Sequence, residues 1–155
     1  AHVKGIRSMV QRLTIDGVSI EEIPQDEIRY SFEKIEPHLK KIIKKSYSDW
    51  IPSDVYLSLR DEESDLYMFY DEDIYIGFII TQFIKNRSGE GTLFIWASYQ
   101  KPEYNYKDIG FTFVDKLAEQ LNAVAIEFAS SRQGWKTEAP KAGYELISYT
   151  FRKEL

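Results

Sequence analysis

Early in the chain, apolar residues recur at helical spacing, whereas later they form continuous runs. This change of pattern predicts two helices followed by strands. The apolar helical face is formed by Ile28, Phe32, Ile35, Leu39, Ile42 and Ile43. Asp26 is the predicted N-cap of this helix, and Pro37 is expected to kink or divide it. A short second helix is predicted over residues 55–59, with Ser53 or Asp54 as its cap.

The continuous apolar runs are separated by turn residues and predict strands. A short strand or hairpin is expected within residues 10–20, around the turn Asp16-Gly17. Three further runs, at 66–70, 74–83 and 93–99, follow one another closely, and the long middle run is typical of a central strand. Together these three runs predict an antiparallel meander.

A helix and a strand are predicted after the meander. An apolar helical face starts near Gly110, and residues 124–128 form a short strand, which implies a right-handed crossover to a parallel neighbour. A loop with a short helix over 130–142 and a final strand over 144–152 complete the order. The predicted fold class is therefore α/β, a mixed β-sheet flanked by helices, in the order strand, helix, helix, strand, strand, strand, helix, strand, helix, strand.

The chain is predicted to form one domain over residues 9–155, because no repeat, linker or low-complexity segment interrupts it. Residues 1–8 are interpreted as a leader ahead of a native start at Met9. No signal peptide is evident, and no apolar run approaches the roughly 20 residues of a membrane span. We therefore expect no membrane partner and a cytoplasmic location.

Composition excludes several kinds of catalytic site. The chain has no cysteine, and apart from His2 in the predicted leader its one histidine is His38. A Ser-His-Asp triad and a zinc site are therefore not expected, and no metal is predicted. His38 is interpreted as a half-exposed surface residue. The net charge of −5 argues against direct binding of a nucleic-acid backbone.

An acidic cluster surrounds one predicted hairpin. It consists of Asp61, Glu62, Glu63, Asp65, Asp71, Glu72 and Asp73. Spaced carboxylates can imitate the phosphates of DNA, so one reading is an acidic inhibitor of a nucleic-acid enzyme. The other reading is a set of solvated turns that protect the sheet from edge pairing.

The loop between the third meander strand and the next helix carries the most informative motif. It reads Pro102-Glu103-Tyr104-Asn105-Tyr106-Lys107-Asp108-Ile109-Gly110. A loop that leads into a helix N-terminus can present backbone N–H groups to a phosphate. The Asp within this loop adds a like charge that would repel such a ligand.

This loop and the order of elements resemble the GCN5-related N-acetyltransferase (GNAT) family, over nearly all of the chain from Met9. The segments Pro102-Glu103-Tyr104 and Lys107-x-Ile109-Gly110 match the acyl-CoA loop of that family, and Gly143-Tyr144 matches its late Gly-aromatic pair. The resemblance implies a sheet that splays where residues 93–99 meet 124–128, and a helix that starts at Gly110.

The resemblance also implies a site for acetyl-CoA. Tyr99 at the strand end, together with Lys107, Ile109 and Gly110, is predicted to bind it: strand-end carbonyls would hold the pantetheine, the amides of the loop the pyrophosphate, and water would relay the proton. No side chain is assigned as catalytic.

Several positions depart from the family pattern, so the cofactor site is predicted to be degraded. Asp108 replaces a glycine and Asn105 replaces a Gln or Arg. Ala139 stands where the family often has a general-acid Tyr, and Arg132 where it has an Asn.

A second segment, over residues 128–135, resembles the Ser-x-Arg-x-Gly-Trp segment of GNAT-like proteins from tailed bacteriophages. Ser131, Arg132 and Trp135 are the predicted residues for a substrate or partner, together with Trp96 on the preceding strand. Trp96 and Tyr99 are also candidates for the core. Arg132 is free to bind an anion or to pair with Glu127 or Glu138.

Three functions remain open on the sequence. The first is a GNAT-like protein with a degraded acyl-CoA site, encoded by a phage and located in its host's cytoplasm, that acts by binding a protein partner or small ligand. The second is an acetyl-CoA-dependent N-acetyltransferase. The third is the acidic inhibitor.

Overall fold

The computed structural model describes residues 12–155. The predicted leader and the first two positions of the predicted first strand lie outside the described residues. The elements, in order, are β1 (Arg12–Ile15), β2 (Val18–Glu22), a 3₁₀ turn (Gln25–Glu27), α1 (Ile28–Lys44), α2 (Pro52–Arg60), β3 (Asp65–Asp71), β4 (Ile74–Lys85), β5 (Gly91–Gln100), α3 (Lys107–Gln120), β6 (Ala125–Phe128) and α4 (Trp135–Lys141).

The strands form one six-stranded sheet in sequential order. Strands β1 to β5 are antiparallel neighbours, whereas β6 pairs with β5 in parallel, so the predicted meander and crossover are confirmed. The first hairpin turns at Asp16 and Gly17, with φ of 47° and 82°. Two consecutive residues with positive φ match the twist of a tight hairpin, which explains the Asp-Gly pair.

The sheet separates two apolar layers. Side chains that alternate along β3 show this: Tyr67 and Phe69 pack with Phe113 on the α3 face, whereas Leu66 and Met68 pack beneath α1 and α2. Each such large side chain contributes about 1.5–3 kcal/mol when it is fully removed from water. The sheet is thus covered on both faces, which confirms the predicted α/β class.

Helix α1 departs from its prediction in two ways. It runs unbroken through Pro37, because that proline lies on the exposed face while Ile35 and Leu39 on either side are fully buried. Its N-cap is Glu27 and not Asp26, because the chain enters the helix through a 3₁₀ turn. Packing of the apolar face therefore outweighs the lost proline hydrogen bond.

Helices α2 and α3 begin earlier than predicted. Helix α2 starts at Pro52, and the Asp54 carboxylate accepts a hydrogen bond of 2.9 Å from the Ile51 amide at its N-cap. Helix α3 starts at Lys107, three residues before Gly110. The first turn of α3 begins with polar residues, so the spacing of apolar residues does not reveal where the helix starts.

The predicted final strand over 144–152 is wrong. This segment has no regular secondary structure, and nearly all of its side chains are exposed. Its alternating sequence is typical of a strand, but within residues 12–155 it has no strand neighbour.

Candidate functional site

Strands β5 and β6 part midway along β5. Their parallel register runs from Thr92 opposite Ala125 to Ile95 opposite Phe128, and β5 continues alone to Gln100. The predicted splay is thereby confirmed. We call the gap beside residues 96–100 the cleft. Along it, one edge of β5 has no strand neighbour in the described part of the chain, so its backbone groups are available to a ligand.

A β-bulge lies where the cleft begins. Ile80 is opposite Ala97 while Thr81 is opposite Ile95, so Trp96 is an extra residue in β5. A bulge of this kind re-aims side chains and is frequent beside functional sites. Here it places Trp96 on the α1–α2 face, where its ring meets Trp50 edge-on at 5.6 Å between centroids. Trp96 is therefore partly buried against the α1–α2 layer at the point where the cleft begins.

The N-terminus of α3 faces the far end of β5. Within the described residues, the first amide of this region with a helical hydrogen bond is that of Gly110, which donates to the Tyr106 carbonyl at 3.1 Å. The amides of Lys107, Asp108 and Ile109 make no such bond. These three N–H groups form the positive end of a helix of 14 residues, which suits an anion.

The three first-turn side chains differ in their surroundings. Ile109 is buried in the core under α3, so only its backbone can reach a ligand. Asp108 is exposed, and an acidic residue in the first turn stabilises the helix dipole. Gly110 has room for a methyl group, because a Cβ would meet only Ile79 Cδ1 at 3.8 Å.

Lys107 is held by a carboxylate of α4. Its Nζ lies 2.7 Å from Glu138 Oε2, and Glu138 also accepts a bond from Lys141 at 3.4 Å. The hydrogen bond raises the pKa of Lys107 and lowers the pKa of Glu138. The ion pair joins the first turn of α3 to α4, and Glu138 occupies the place that an anionic ligand of Lys107 would take.

The loop before α3 is anchored at both ends. The Tyr106 hydroxyl donates to Asp71 at 2.7 Å, which raises the pKa of that tyrosine. The Gln100 side-chain amide donates to the Tyr104 carbonyl, and the rings of Tyr104 and Tyr106 stack at 5.6 Å. One member of the acidic cluster therefore fixes the loop that leads into the α3 N-terminus.

The segment after β6 serves mainly to hold elements together. Ser131 Oγ donates to the Lys45 carbonyl at the end of α1 at 3.3 Å. Trp135 packs edge-on against Phe111 and Phe128, at 5.8 and 5.2 Å between ring centroids. These contacts give both residues a structural task that the sequence did not reveal.

Arg132 keeps its side chain exposed. Its amide donates to Ser130 Oγ at 3.1 Å, and within residues 12–155 its guanidinium forms no ion pair. Of its two expected partners, Glu138 is held by lysines. Arg132 therefore remains available to an anion.

His38 is partly exposed, as predicted, but it also packs against two tyrosine rings. Its ring stacks on Tyr99 with centroids 3.7 Å apart, and Tyr75 lies next to it at 6.2 Å. The Nδ1 atom of His38 and the hydroxyl of Tyr75 are buried, and neither has a hydrogen-bond partner. Burial, with Lys41 and Lys101 nearby, lowers the pKa of His38, so the imidazole is neutral near pH 7. Tyr99, a predicted cofactor residue, thus meets a possible proton acceptor.

No helix in residues 12–155 has the length and apolar character needed to cross a membrane. In the same residues, no group of three His, Cys, Asp or Glu side chains is arranged to hold a metal ion.

Several solved structures that share this architecture are described as acetyltransferases. An aminoglycoside acetyltransferase from an uncultured soil metagenomic sample, in complex with trehalose, has a TM-score of 0.66 at 11% identity, covering 92% of this chain and 99% of its own. A predicted acetyltransferase with acetyl-CoA from Clostridium acetobutylicum has a TM-score of 0.63 at 14% identity, covering 88% and 96%. A GNAT family acetyltransferase from Staphylococcus aureus has a TM-score of 0.59 at 16% identity, covering 90% and 99%.

These similarities establish the GNAT fold for this chain. No protein-family model matches it, and no curated protein matches its sequence.

Proposed function

We propose that the chain is an acetyl-CoA-dependent N-acetyltransferase. The observation that carries this proposal is the alignment of three features: the parting of β5 and β6 after Ile95, the bulge at Trp96, and the unbonded first-turn amides of α3. Together they offer one continuous path for an extended ligand with a phosphate at one end. The cytoplasm, where acetyl-CoA is used by such enzymes, is the proposed location.

Each part of the path fits a part of acetyl-CoA. The free edge of β5 over residues 96–100 can pair with the amides of the pantetheine arm, as an added strand pairs with a sheet. The amides of Lys107, Asp108 and Ile109 suit the pyrophosphate. The Lys107 ammonium can join them if it exchanges Glu138 for a phosphate oxygen.

The reaction would transfer an acetyl group from sulfur to nitrogen. The acceptor amine attacks the thioester carbonyl, a C–N bond forms, and the C–S bond breaks to release coenzyme A thiolate. The proton lost by the amine needs an acceptor, and neutral His38 beside Tyr99 can take it directly or through water. Ala139 offers no acid to the thiolate, which would take its proton from water.

A second function is favoured by one specific observation. Glu138 already neutralises Lys107, and Asp108 adds a negative charge to the same turn. In this alternative the cofactor site is degraded, and the protein binds a partner or small ligand through the exposed side of Arg132. An origin in a bacteriophage belongs to the same proposal.

Calorimetry with acetyl-CoA distinguishes the two functions. We expect a dissociation constant in the micromolar range for the unaltered chain, and release of free coenzyme A when a panel of primary amines is added. Asp108→Asn is expected to tighten binding, because it removes a charge from the first turn of α3. Asp115→Asn is the matched control, because it removes an exposed charge from the same helix away from that turn. Absence of binding in the unaltered chain, restored by Asp108→Asn, would establish the degraded site instead.

A further inference from the structure

The C-terminal half of α1 spans the cleft on one face of the sheet. Near its middle, His38 stacks on Tyr99 of β5, with ring centroids 3.7 Å apart. At its end, the Lys45 carbonyl accepts a hydrogen bond from Ser131, which follows β6. The rise from residue 38 to residue 45 is about 10 Å of helix. This half of α1 therefore runs from the strand on one side of the cleft to the segment on the other side.

The side of α1 that carries His38 is basic over this half. Positions three and seven residues further along a helix share one face, and here they hold Lys41 and Lys45, both exposed. Lys101, which follows β5, lies with its Nζ 5.8 Å from the centre of the Tyr75 ring. Burial is the main cause of the lowered pKa of His38, and Lys41 and Lys101 add to it, so both ammonium groups lie near the imidazole.

The segment after β6 adds a fourth cation to this surface. Arg132 comes directly after Ser131 and is exposed. We call the four cations the basic rim; they are Lys41, Lys45, Lys101 and Arg132. Within residues 12–155, no member of the basic rim forms an ion pair. The charges of the rim are therefore free to act on a ligand in the cleft.

Two carboxylates approach the same surface. Burial raises the pKa of Tyr99, and Glu103 raises it further, which places Glu103 near the end of β5. Glu127 is exposed on β6 and points away from the α3 side, against which Ile126 packs. Four cations thus face two carboxylates here, whereas the whole chain has a net charge of −5. The cleft is therefore positive at this face of a negative protein.

Unpaired polar atoms lie beside the basic rim. Within residues 12–155, His38 Nδ1 and the Tyr75 hydroxyl are both buried without a hydrogen-bond partner. Such atoms are uncommon in folded proteins, and a catalytic role is one of the reasons for which they are kept. The same surface therefore combines unpaired cations with unpaired polar atoms, which packing alone does not require.

We propose that the basic rim selects an acceptor amine that carries carboxylates close to its amino group. This inference rests on the proposed acetyltransferase function and names its substrate class. The cations would attract such an acceptor and hold its amine beside His38, whereas they would repel a polycationic amine. Because they are spread along about 10 Å of α1 and across the cleft, they suit several carboxylates better than one. A free acidic amino acid and the amino end of an acidic peptide share this chemistry.

Calorimetry with synthetic ligands tests the basic rim without acetyl-CoA. The probes are a peptide of one alanine followed by three glutamates, the same peptide with three glutamines, free glutamate, and spermidine. We expect the glutamate peptide to bind at least about tenfold more tightly than the glutamine peptide, and spermidine not to bind. About 0.5 M salt should remove most of this difference, because it screens exposed charges. Free glutamate that binds as tightly as the glutamate peptide would identify a small acceptor, and weaker binding would identify a peptide.

Substitutions in the rim link this preference to its residues. Lys45→Gln and Arg132→Gln should each weaken binding of the glutamate peptide about two- to fivefold, and the double variant about tenfold. Both side chains are exposed, so the fold should survive. Lys116→Gln is the matched control, because it removes the same charge from an exposed position of α3, on the other face of the sheet. Equal binding of the glutamate and glutamine peptides, or rim variants that behave like Lys116→Gln, would overturn the proposal.

Release of coenzyme A separates this proposal from the proposed function. With acetyl-CoA present, we expect kcat/KM to be at least about tenfold higher for the glutamate peptide than for the glutamine peptide, mainly through KM. Release at equal rates from both peptides would refute the role of the basic rim and leave the acetyltransferase function standing. Preferential binding of the glutamate peptide with no release from any probe would refute the acetyltransferase function and still support the selectivity of the rim.

Discussion

Replacing Gly77 with alanine tests the close contact that fixes the end of β5. Gly77 lies on β4 opposite Gln100. A Cβ at this glycine would overlap the Tyr99 carbonyl oxygen and lie 3.2 Å from the Gln100 Cα. Both neighbours are backbone, so no side chain can rotate away, and the end of β5 must move by roughly an ångström to restore van der Waals distance.

The expected cost follows from what this movement breaks. Beyond the bulge, β4 is the strand neighbour of this part of β5, so about two ladder hydrogen bonds weaken, at roughly 1 kcal/mol each. Overpacking adds about 1–3 kcal/mol, part of which the same movement relieves. We expect the free energy of unfolding to fall by about 2–4 kcal/mol, and the melting temperature by about 5–15 °C.

Urea unfolding followed by circular dichroism measures this change, with Gly134→Ala as the control. Gly134 precedes α4 with φ of −58°, and a Cβ there would meet nothing within 4 Å. Alanine at that position should be neutral or stabilising by up to about 1 kcal/mol. If Gly77→Ala were as stable as Gly134→Ala, β4 and β5 would not approach each other as described.

Three more substitutions test the surroundings of the cleft. The pKa of His38 should lie below 6.5 in proton NMR. Between that lowered pKa and pH 6.5 the unfolded chain binds a proton that the folded chain does not, so the free energy of unfolding is highest above pH 6.5 and falls as the pH drops toward the lowered pKa. The variant His38→Gln should not show this fall. Burial raises the pKa of Tyr144 to about 12, and its hydroxyl is buried without a partner. Tyr144→Phe should therefore leave the free energy of unfolding unchanged or raise it by up to about 1 kcal/mol in urea titrations, whereas a larger loss would reveal a partner for the hydroxyl. Glu138→Gln should lower the calorimetric dissociation constant for acetyl-CoA several-fold by releasing Lys107; an unchanged value would place Lys107 away from the phosphates.

The sequence was sufficient for the meander and the parallel crossover, but not for the last predicted strand or for the ends of the helices. The meander and the crossover follow from apolar runs, which record burial directly. The start of α3 was missed because Lys107 and Asp108 are polar, and the division of α1 was expected because Pro37 has a strong local preference that packing overrides. The strand over 144–152 has the right alternation, but a strand also needs a neighbour.

The site residues were predictable by position more than by contact. The sequence placed Tyr99 at the end of a strand, and β5 ends one residue later, at Gln100. It placed Lys107 in the loop before a helix, whereas Lys107 is the first residue of α3. It did not pair Tyr99 with His38, or Lys107 with Glu138, because these partners are far apart in the chain and no spacing rule connects them. Whether these residues bind a ligand stays a prediction.

The bulge at Trp96 makes the lining of the cleft depend on residue count. Leu93 and Ile95 face the core under α3, yet Ala97 and Tyr99, which continue the same odd-numbered series, face α1. Deleting Trp96 would remove the extra residue and leave Ala97 opposite Ile80, so Tyr99 would keep its face and its stack on His38, and the ring that meets Trp50 would be lost. Homologous proteins that lack one residue at this point would therefore keep the Tyr99 side of the cleft but lose the aromatic contact where the cleft begins.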